Sequence, residues 1–217
     1  QLMKPRTGIV YNKLRYPVDN SRNMRIISEL RSLGNYEELS VQVEDILSNM
    51  SFGVDAEKAE SAFCRIGQLL GYICQRPDKE IRQGPDVLWC TASKKYILIE
   101  CKTEVLLARK SISKSEAGQM EEHCAWFEAT YGEDTLFEPI LVIPTERLAK
   151  DAYFSHDTKV LKKEGLVNFK QQIRDFFKEF KKFDFSGLDA DLINQKLVAH
   201  NLHNDQFLQK FVVSPQK

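Results

Sequence analysis

Hydrophobic and polar positions alternate along this chain with two different periods, and the change of period separates predicted helices from predicted strands. Apolar residues that recur every three or four positions form the buried stripe of a helix, and one such stripe begins at Ala59 and is stopped by Gly71. Short apolar runs bounded by turn residues are typical of strands. The strands predicted in this way cover residues 73–77, 87–90, 96–99 and 139–144.

The third predicted strand ends in charged residues. Side chains of a strand alternate between two faces, so Glu100 and Lys102 point to one side and Cys101 to the other. Residues 91–95 are predicted to form the turn of an antiparallel hairpin. Asp86 begins one arm of this hairpin and Glu100 ends the other. The two carboxylates are therefore expected to lie together, where they repel each other unless a cation neutralises them.

Each of these residues also has a structural interpretation that needs no metal. An Asp after Gly-Pro commonly forms a turn through its own backbone. A Glu-x-Lys sequence at a strand end commonly forms a solvated ion pair. The combination favours a functional site, because Glu100 follows a strand that is apolar on both faces. Charges at the end of such a strand are costly to bury.

Pro85-Asp86 and Glu100-Cys101-Lys102 match the signature of the PD-(D/E)xK nuclease superfamily, which the chain resembles over residues 55–145. The resemblance implies an α/β, restriction-endonuclease-like fold, with an αβββαβ core, a mixed sheet, and flanking N- and C-terminal helices. Residues 111–132 further resemble the version of this domain that is fused C-terminally to DEAD/DEAH-box helicases. The expected regions are an N-terminal extended segment and helical arm (1–54), the nuclease core (55–150) and a C-terminal helical extension packed on the core (151–217).

The resemblance also implies metal-dependent hydrolysis of DNA phosphodiester bonds. Asp86, Glu100 and the backbone carbonyl of Cys101 would hold Mg²⁺ or Mn²⁺, because these ions prefer oxygen ligands. Lys102 would orient the attacking water or stabilise the charge of the transition state.

A further acidic residue is often found on the first helix of this superfamily. Helical spacing places Glu60 at the edge of the apolar stripe and Glu57 nearly opposite its centre. Glu60 is therefore predicted to approach the sheet edge and to bind the metal through water, whereas Glu57 should be solvated. The alternative for Glu60 is an exposed helix glutamate without a catalytic role.

The second helix of the core supplies the remaining candidates. Gln119, a catalytic candidate, and Ser113 and Lys114 near the helix start are expected to contact the scissile phosphate or the nucleic acid backbone. An alternative for Ser113 is an N-cap, with Glu116 completing a capping box. His123 follows Gln119 by four residues and is expected to reach nucleic acid from a similar helix face. The alternative for His123 is a surface or capping histidine.

Charge and cysteine content describe the setting rather than the activity. Lys and Arg together number 31, as do Asp and Glu, but basic residues outnumber acidic ones by nine to five over residues 76–114. Substrate binding is therefore expected to be local and salt-sensitive. The five cysteines show no metal-binding spacing and are predicted to be small apolar residues in a reducing compartment. No apolar run approaches the roughly 20 residues of a membrane span. We therefore expect an intracellular protein without membrane contact, cytoplasmic, or nuclear if eukaryotic.

Helices are also predicted on both sides of the core, after an extended segment over residues 1–19. A chain that begins with Gln1 is expected to be a piece of a longer protein. The expected partners are DNA, a helicase motor in the same or a partner chain, and a possible second copy of the chain. The predicted flanking helices cover residues 22–33, 36–50, 169–183, 189–199 and 205–212.

Three classes of function follow from these patterns. The first is an active DNA nuclease that serves DNA repair or defence against foreign DNA. The second is a catalytically inactive nuclease-fold module that binds nucleic acid or a protein partner. The third is a structural or interaction domain whose flanking helices form the interface. Two repelling carboxylates beside a lysine argue for the first class, because an inactive site has no physical reason to retain them.

Overall fold

A five-stranded mixed sheet lies at the centre of the molecule, in the order β1-β2-β3-β4-β5, with helices on both faces. The computed structural model describes residue 8, residues 10–105 and residues 107–217, and the side chains of residues 204–207 lie outside this description. Residues 1–7 and 9 of the predicted extended segment lie outside it as well, whereas residues 10–16 have no regular secondary structure.

The core of the chain runs in the order helix, three strands, helix, strand, as the sequence predicts. These elements are α3 (Ala56–Leu69), β1 (Ile73–Gln75), β2 (Val87–Ala92), β3 (Lys95–Cys101), α5 (Lys114–Tyr131) and β4 (Leu136–Val142). Two short elements were not predicted: helix α4 (Pro77–Ile81) between β1 and β2, and strand β5 (Lys159–Leu161) after β4. The first predicted strand is correspondingly shorter, because Pro77 begins α4 instead of ending β1.

Strands β2 and β3 form the predicted antiparallel hairpin, with Val87 opposite Ile99. Strands β3 and β4 are parallel, as are β4 and β5. A parallel pair needs a long crossover, and helix α5 supplies it between β3 and β4. The crossover places α5 against the face of the sheet that carries Leu88 and Leu98.

Side chains of β2 and β3 alternate between two separate hydrophobic clusters. Val87 and Ile99 belong to the cluster that contains α3 and the flanking helices. Leu88 and Leu98 belong to the cluster that contains Phe127 of α5. By this alternation Asp86, Glu100 and Lys102 fall on the α5 side of the sheet. The predicted assignment of faces is therefore confirmed for the hydrophobic residues of β3.

The flanking helices cover the α3 side of the sheet. Helix α1 has its predicted bounds, and α2 ends one residue before its predicted end. Helix α6 begins six residues earlier than predicted and continues as a 3-10 helix over Glu179–Lys182. The flanking elements are α1 (Arg22–Leu33), α2 (Tyr36–Asn49), α6 (Lys163–Lys178), a 3-10 turn (Phe185–Gly187), α7 (Ala190–Ala199) and α8 (Asn204–Phe211).

The cysteines differ from the prediction that all five are free apolar residues. Cys64 of α3 and Cys74 of β1 form a disulfide, with their Cα atoms 5.7 Å apart. The chain reverses at Gly71, which has φ +77°, and this reversal brings the two residues together. Cys90, Cys101 and Cys124 are free and buried, as predicted. Two of the five cysteines therefore do not support the expectation of a reducing compartment.

The length and the apolar content of the helices bear on whether the chain can span a membrane. Within the described ranges, no helix is both long enough and apolar enough to cross a membrane.

Candidate active site

The turn before β2 places Asp86 beside the end of β3. Gly84 adopts φ +81°, a backbone conformation that glycine accepts readily, and Pro85 follows it. Asp86 is 8% exposed, and its Oδ2 accepts a hydrogen bond from the backbone N–H of Cys101 at 2.8 Å. The N–H and C=O of a strand residue point to the same side, so the carbonyl of Cys101 also faces Asp86.

Glu100 lies opposite Asp86 and is fully buried, with 0% exposure. Its Oε1 accepts a hydrogen bond from Lys102 Nζ at 2.7 Å. Lys102 Nζ also donates to Gln119 Oε1 of α5 at 2.7 Å. Burial lowers the pKa of Lys102, but the neighbouring Glu100 outweighs burial and raises it, so the side chain remains an ammonium. The structure thus brings together Asp86, Glu100, Lys102 and Gln119, four of the predicted site residues.

His123 of α5 contacts the other oxygen of Glu100. His123 Nε2 lies 3.0 Å from Glu100 Oε2. Both atoms are buried, and within the part of the chain that the structure describes neither makes a hydrogen bond with the geometry that such a bond requires. The side chain of His123 is 12% exposed, so the alternative of a surface histidine is wrong. Its position next to Glu100 was not predicted, although its spacing of four residues from Gln119 indicated the correct helix face.

The charges of the two carboxylates are unequal. Burial raises the pKa of Asp86 well above 3.8, and repulsion by Glu100 and Glu60 adds to this effect. Burial would raise the pKa of Glu100 too, but contacts with His123 and Lys102 lower it to about 2. The negative charge is therefore held mainly on Glu100, and Asp86 is the carboxylate that most needs a cation.

Glu60 lies at the edge of the site but pairs with a cation of the protein. Its Oε2 accepts a short hydrogen bond from Arg76 Nη2. Burial raises the pKa of Glu60, while Arg76 opposes this rise. Glu57 is 56% exposed, yet it also pairs with Arg76, at 2.9 Å, and with Lys79. The prediction that Glu57 is exposed to solvent is therefore confirmed, whereas its ion pairs with Arg76 and with Lys79 of helix α4 were not predicted.

Asp78 is an acidic residue near the site that sequence reasoning missed. It lies on α4, and its pKa is raised by burial and by repulsion from Glu100. The available signal was Pro77, because proline is favoured at the first position of a helix and acidic residues are favoured in the first turn. Both features predict a helix start at this point.

Ser113 forms the N-cap of α5, so the capping interpretation is confirmed. Ser113 Oγ accepts from the backbone N–H of Glu116 at 3.3 Å, and Glu116 Oε2 accepts from the Ser113 N–H at 2.8 Å. Lys114 is exposed at the first position of the helix. Among the described residues, neither side chain makes a hydrogen bond with Asp86 or Glu100. Their assignment to nucleic acid binding stays a prediction.

A cleft of about 230 Å³ opens over these residues, and Glu60, Asp86, Glu100, Lys102 and Gln119 line it. Its donor atoms fit a hard divalent cation, because the carboxylates supply oxygen and one buried oxygen, Glu100 Oε2, makes no hydrogen bond of standard geometry with the described residues. Over the described ranges, no three His, Cys, Asp or Glu side chains are gathered as a metal-binding group. Mg²⁺ commonly binds through only one or two carboxylates and keeps several waters.

Comparison of this chain with models of known protein families, with curated proteins and with solved structures finds no match. Any functional conclusion therefore depends on the residues of the cleft themselves.

Proposed function

We propose that this chain is a metal-dependent nuclease that hydrolyses DNA phosphodiester bonds, with a restriction-endonuclease-like fold of the PD-(D/E)xK superfamily. The observation that carries the proposal is the contact between Lys102 and the fully buried Glu100, with Asp86 beside them in one cleft. A buried carboxylate pair is costly in a purely structural role. The order of the core elements around the mixed sheet supports the same proposal.

Asp86, Glu100 and the carbonyl of Cys101 would hold Mg²⁺ or Mn²⁺. The bound ion would supply a nucleophilic hydroxide and offset the charge that develops on the phosphate. The Cys101 N–H fixes the orientation of Asp86, which leaves its other carboxylate oxygen for the ion. Glu100 stays ionised across the physiological pH range, because its pKa is lowered to about 2.

Lys102 is the cationic group of the proposed mechanism. Gln119 and Glu100 hold its ammonium from two sides, at 2.7 Å each. A point charge fixed in this way can orient a water molecule or stabilise a phosphoryl oxygen in the transition state. Lys114, exposed at the first position of α5, would contact the substrate backbone. We further propose that the chain acts with a helicase motor, in the same or a partner chain, in DNA repair or defence against foreign DNA.

Cleavage of labelled single- and double-stranded DNA tests the proposal. The wild type is compared with Lys102→Met and Asp86→Asn, in Mg²⁺ or Mn²⁺ and at one salt concentration. Each substitution is expected to lower the cleavage rate by about 10²–10³, the usual cost of removing a transition-state stabiliser. Lys182→Ala serves as a matched control, because Lys182 is an exposed lysine at the end of a flanking 3-10 helix.

The outcomes separate an enzyme from a binding module. Metal-dependent cutting that survives Lys182→Ala but not the other two substitutions supports the nuclease. A wild type that binds the same DNA in a mobility-shift assay but cuts neither substrate overturns the proposal in favour of an inactive binding module. Equal cutting by wild type and Lys102→Met overturns the assigned site.

A further inference from the structure

Two buried polar atoms, one from a residue of the cleft and one from helix α5 beside it, form an ion-pair contact that lacks the geometry of a hydrogen bond. They are Glu100 Oε2 and His123 Nε2, which lie 3.0 Å apart. Leaving a buried donor or acceptor without a partner costs roughly 1–3 kcal/mol, and more for a charged group. Glu100 is fully buried, so solvent does not satisfy its second oxygen. Among the described residues, each atom therefore has the other as an ion-pair contact but makes no well-aligned hydrogen bond, and a cation between them would satisfy both.

The distance between the two atoms matches that of two ligands on one metal ion. Oxygen and nitrogen ligands lie about 2.0–2.2 Å from ions such as Mg²⁺ and Zn²⁺. Two ligands at right angles are then about 3.0 Å apart. A poor hydrogen-bond alignment is expected for such a pair, because both lone pairs point to a third position instead of at each other.

We propose that His123 is a metal ligand, and that its Nε2 binds the same divalent cation as Glu100 Oε2. This inference rests on the proposed function and specifies the metal that the cleft prefers. An imidazole nitrogen in a set of carboxylates shifts the preference from Mg²⁺ toward Mn²⁺ and the later transition metals. The cleft is therefore selective for a transition metal, with Mn²⁺ the ion closest to an oxygen-rich set.

The neighbouring contacts leave these two atoms available to the cation. Lys102 occupies Glu100 Oε1, so Oε2 is the oxygen left for a metal. Asp86 Oδ2 accepts a hydrogen bond from the Cys101 N–H. The Glu100–His123 pair is therefore the part of the site whose atoms already lie at the spacing of two metal ligands. Gln119 lies one helical turn before His123, and its bond to Lys102 fixes this face of α5 against the end of β3.

Electron paramagnetic resonance of Mn²⁺ tests the inference without an activity assay. The metal-free chain is titrated with Mn²⁺, and the loss of the signal of free aqueous Mn²⁺ gives the amount bound. Pulsed measurements on the bound ion then detect coupling to a ¹⁴N nucleus, which a directly ligated imidazole produces. We compare the wild type, His123→Gln and His156→Gln. The last is a matched control, because His156 pairs with Glu121 and Glu128 on the outer side of α5.

The wild type and His156→Gln are expected to bind Mn²⁺ with nitrogen coupling. His123→Gln is expected to lose the coupling and to bind Mn²⁺ at least about tenfold more weakly, with a smaller change for Mg²⁺. Bound Mn²⁺ without nitrogen coupling in the wild type overturns the inference and leaves the proposed nuclease intact. Failure of the wild type to bind Mn²⁺ at millimolar concentration overturns both. The wild-type spectrum decides the question even if His123→Gln fails to fold.

Discussion

Glu100 and Asp86 show how two identical functional groups acquire different roles from their surroundings. Glu100 has a lysine ammonium on one oxygen and a histidine nitrogen beside the other. Asp86 has one backbone N–H and two acidic neighbours, Glu100 and Glu60. The ionised form of Asp86 is therefore unfavourable in the metal-free protein. A site built to receive a cation is expected to lower the stability of the fold while the cation is absent.

The substitution Asp86→Asn is expected to stabilise the metal-free protein at pH 7. It removes the free-energy cost of keeping Asp86 either protonated or charged at a buried site beside Glu100, and the amide oxygen can still accept from the Cys101 N–H. We expect a gain of about 1 kcal/mol, which for a chain of this length corresponds to a rise of roughly 2–4 °C in Tm. Thermal unfolding in the presence of a chelator measures it. A lower Tm for the variant would contradict the assigned repulsion.

The pH dependence of this gain follows from the raised pKa of Asp86. Above pH 3.8 the unfolded chain releases the Asp86 proton while the folded protein retains it, so the wild type loses stability as the pH rises toward the folded-state pKa. Asp86→Asn has no titrating group at this position, so its free energy of unfolding does not show this decrease with pH. The stability difference between the two proteins should therefore grow from about pH 4 upward. Added Mn²⁺ should reverse it, because only the wild type retains both carboxylates.

Among the structural elements, the turn before β2 sets the position of Asp86 through a single glycine. Gly84 has φ +81°, and an added Cβ would lie 2.6 Å from the Trp126 ring of α5. Gly84→Ala is therefore expected to cost more than about 1 kcal/mol, because backbone strain and a steric clash act together. The clash pushes the turn away from α5, so DNA cleavage should fall as well. Urea unfolding and the cleavage assay measure the two effects.

A second glycine provides the control for this substitution. Gly118 lies in α5, and an added Cβ would have no described atom within 4 Å apart from its chain neighbours and its own helix backbone. Gly118→Ala is expected to stabilise the helix by roughly 0.5–1 kcal/mol, because alanine loses less conformational entropy than glycine. Similar losses of stability in the two variants would show that the contact with Trp126 does not position the turn.

The sequence predicts those elements whose pattern is local. Period-two alternation correctly places Leu98 on one face of β3 and Ile99 on the other, and the first helix ends at Leu33 as predicted. Strand β5 escapes prediction because its three residues form a strand only through pairing with β4. The contact of His123 with Glu100 escapes it because the contact depends on how α5 packs on the sheet. Local spacing identifies the face of a helix but not the partner opposite it.

At the scale of the whole molecule, Arg22 connects the three regions expected from the sequence, which are residues 1–54, 55–150 and 151–217. This buried residue of α1 donates from Nε to Leu70 O at the end of α3, at 2.7 Å. It also donates from Nη2 to Leu202 O near the C-terminus, at 2.9 Å. Two backbone carbonyls that are far apart in the sequence thus depend on one guanidinium. The expected boundaries near residues 54 and 150 are therefore crossed by buried polar contacts.

Arg22→Met is expected to lower the free energy of unfolding by about 2–4 kcal/mol. The methionine keeps part of the apolar stem but leaves both carbonyls without their donor. The control is Arg174→Met, which removes a surface ion pair between α6 and Glu44 of α2, at 2.8 Å. That pair is exposed and should contribute less than about 1 kcal/mol. Chemical denaturation compares them, and an equally small loss for Arg22→Met would contradict its role in joining the regions.

The disulfide between Cys64 and Cys74 also determines how a proteolytically cleaved chain would migrate on a gel. A protease that cuts once between these residues divides the chain within the connection from α3 to β1. The two fragments nevertheless remain joined through sulfur. Nicked protein would migrate as one band of full mass on a non-reducing gel and separate into two only after reduction. A single band without reductant is therefore no proof that the polypeptide is continuous between Cys64 and Cys74.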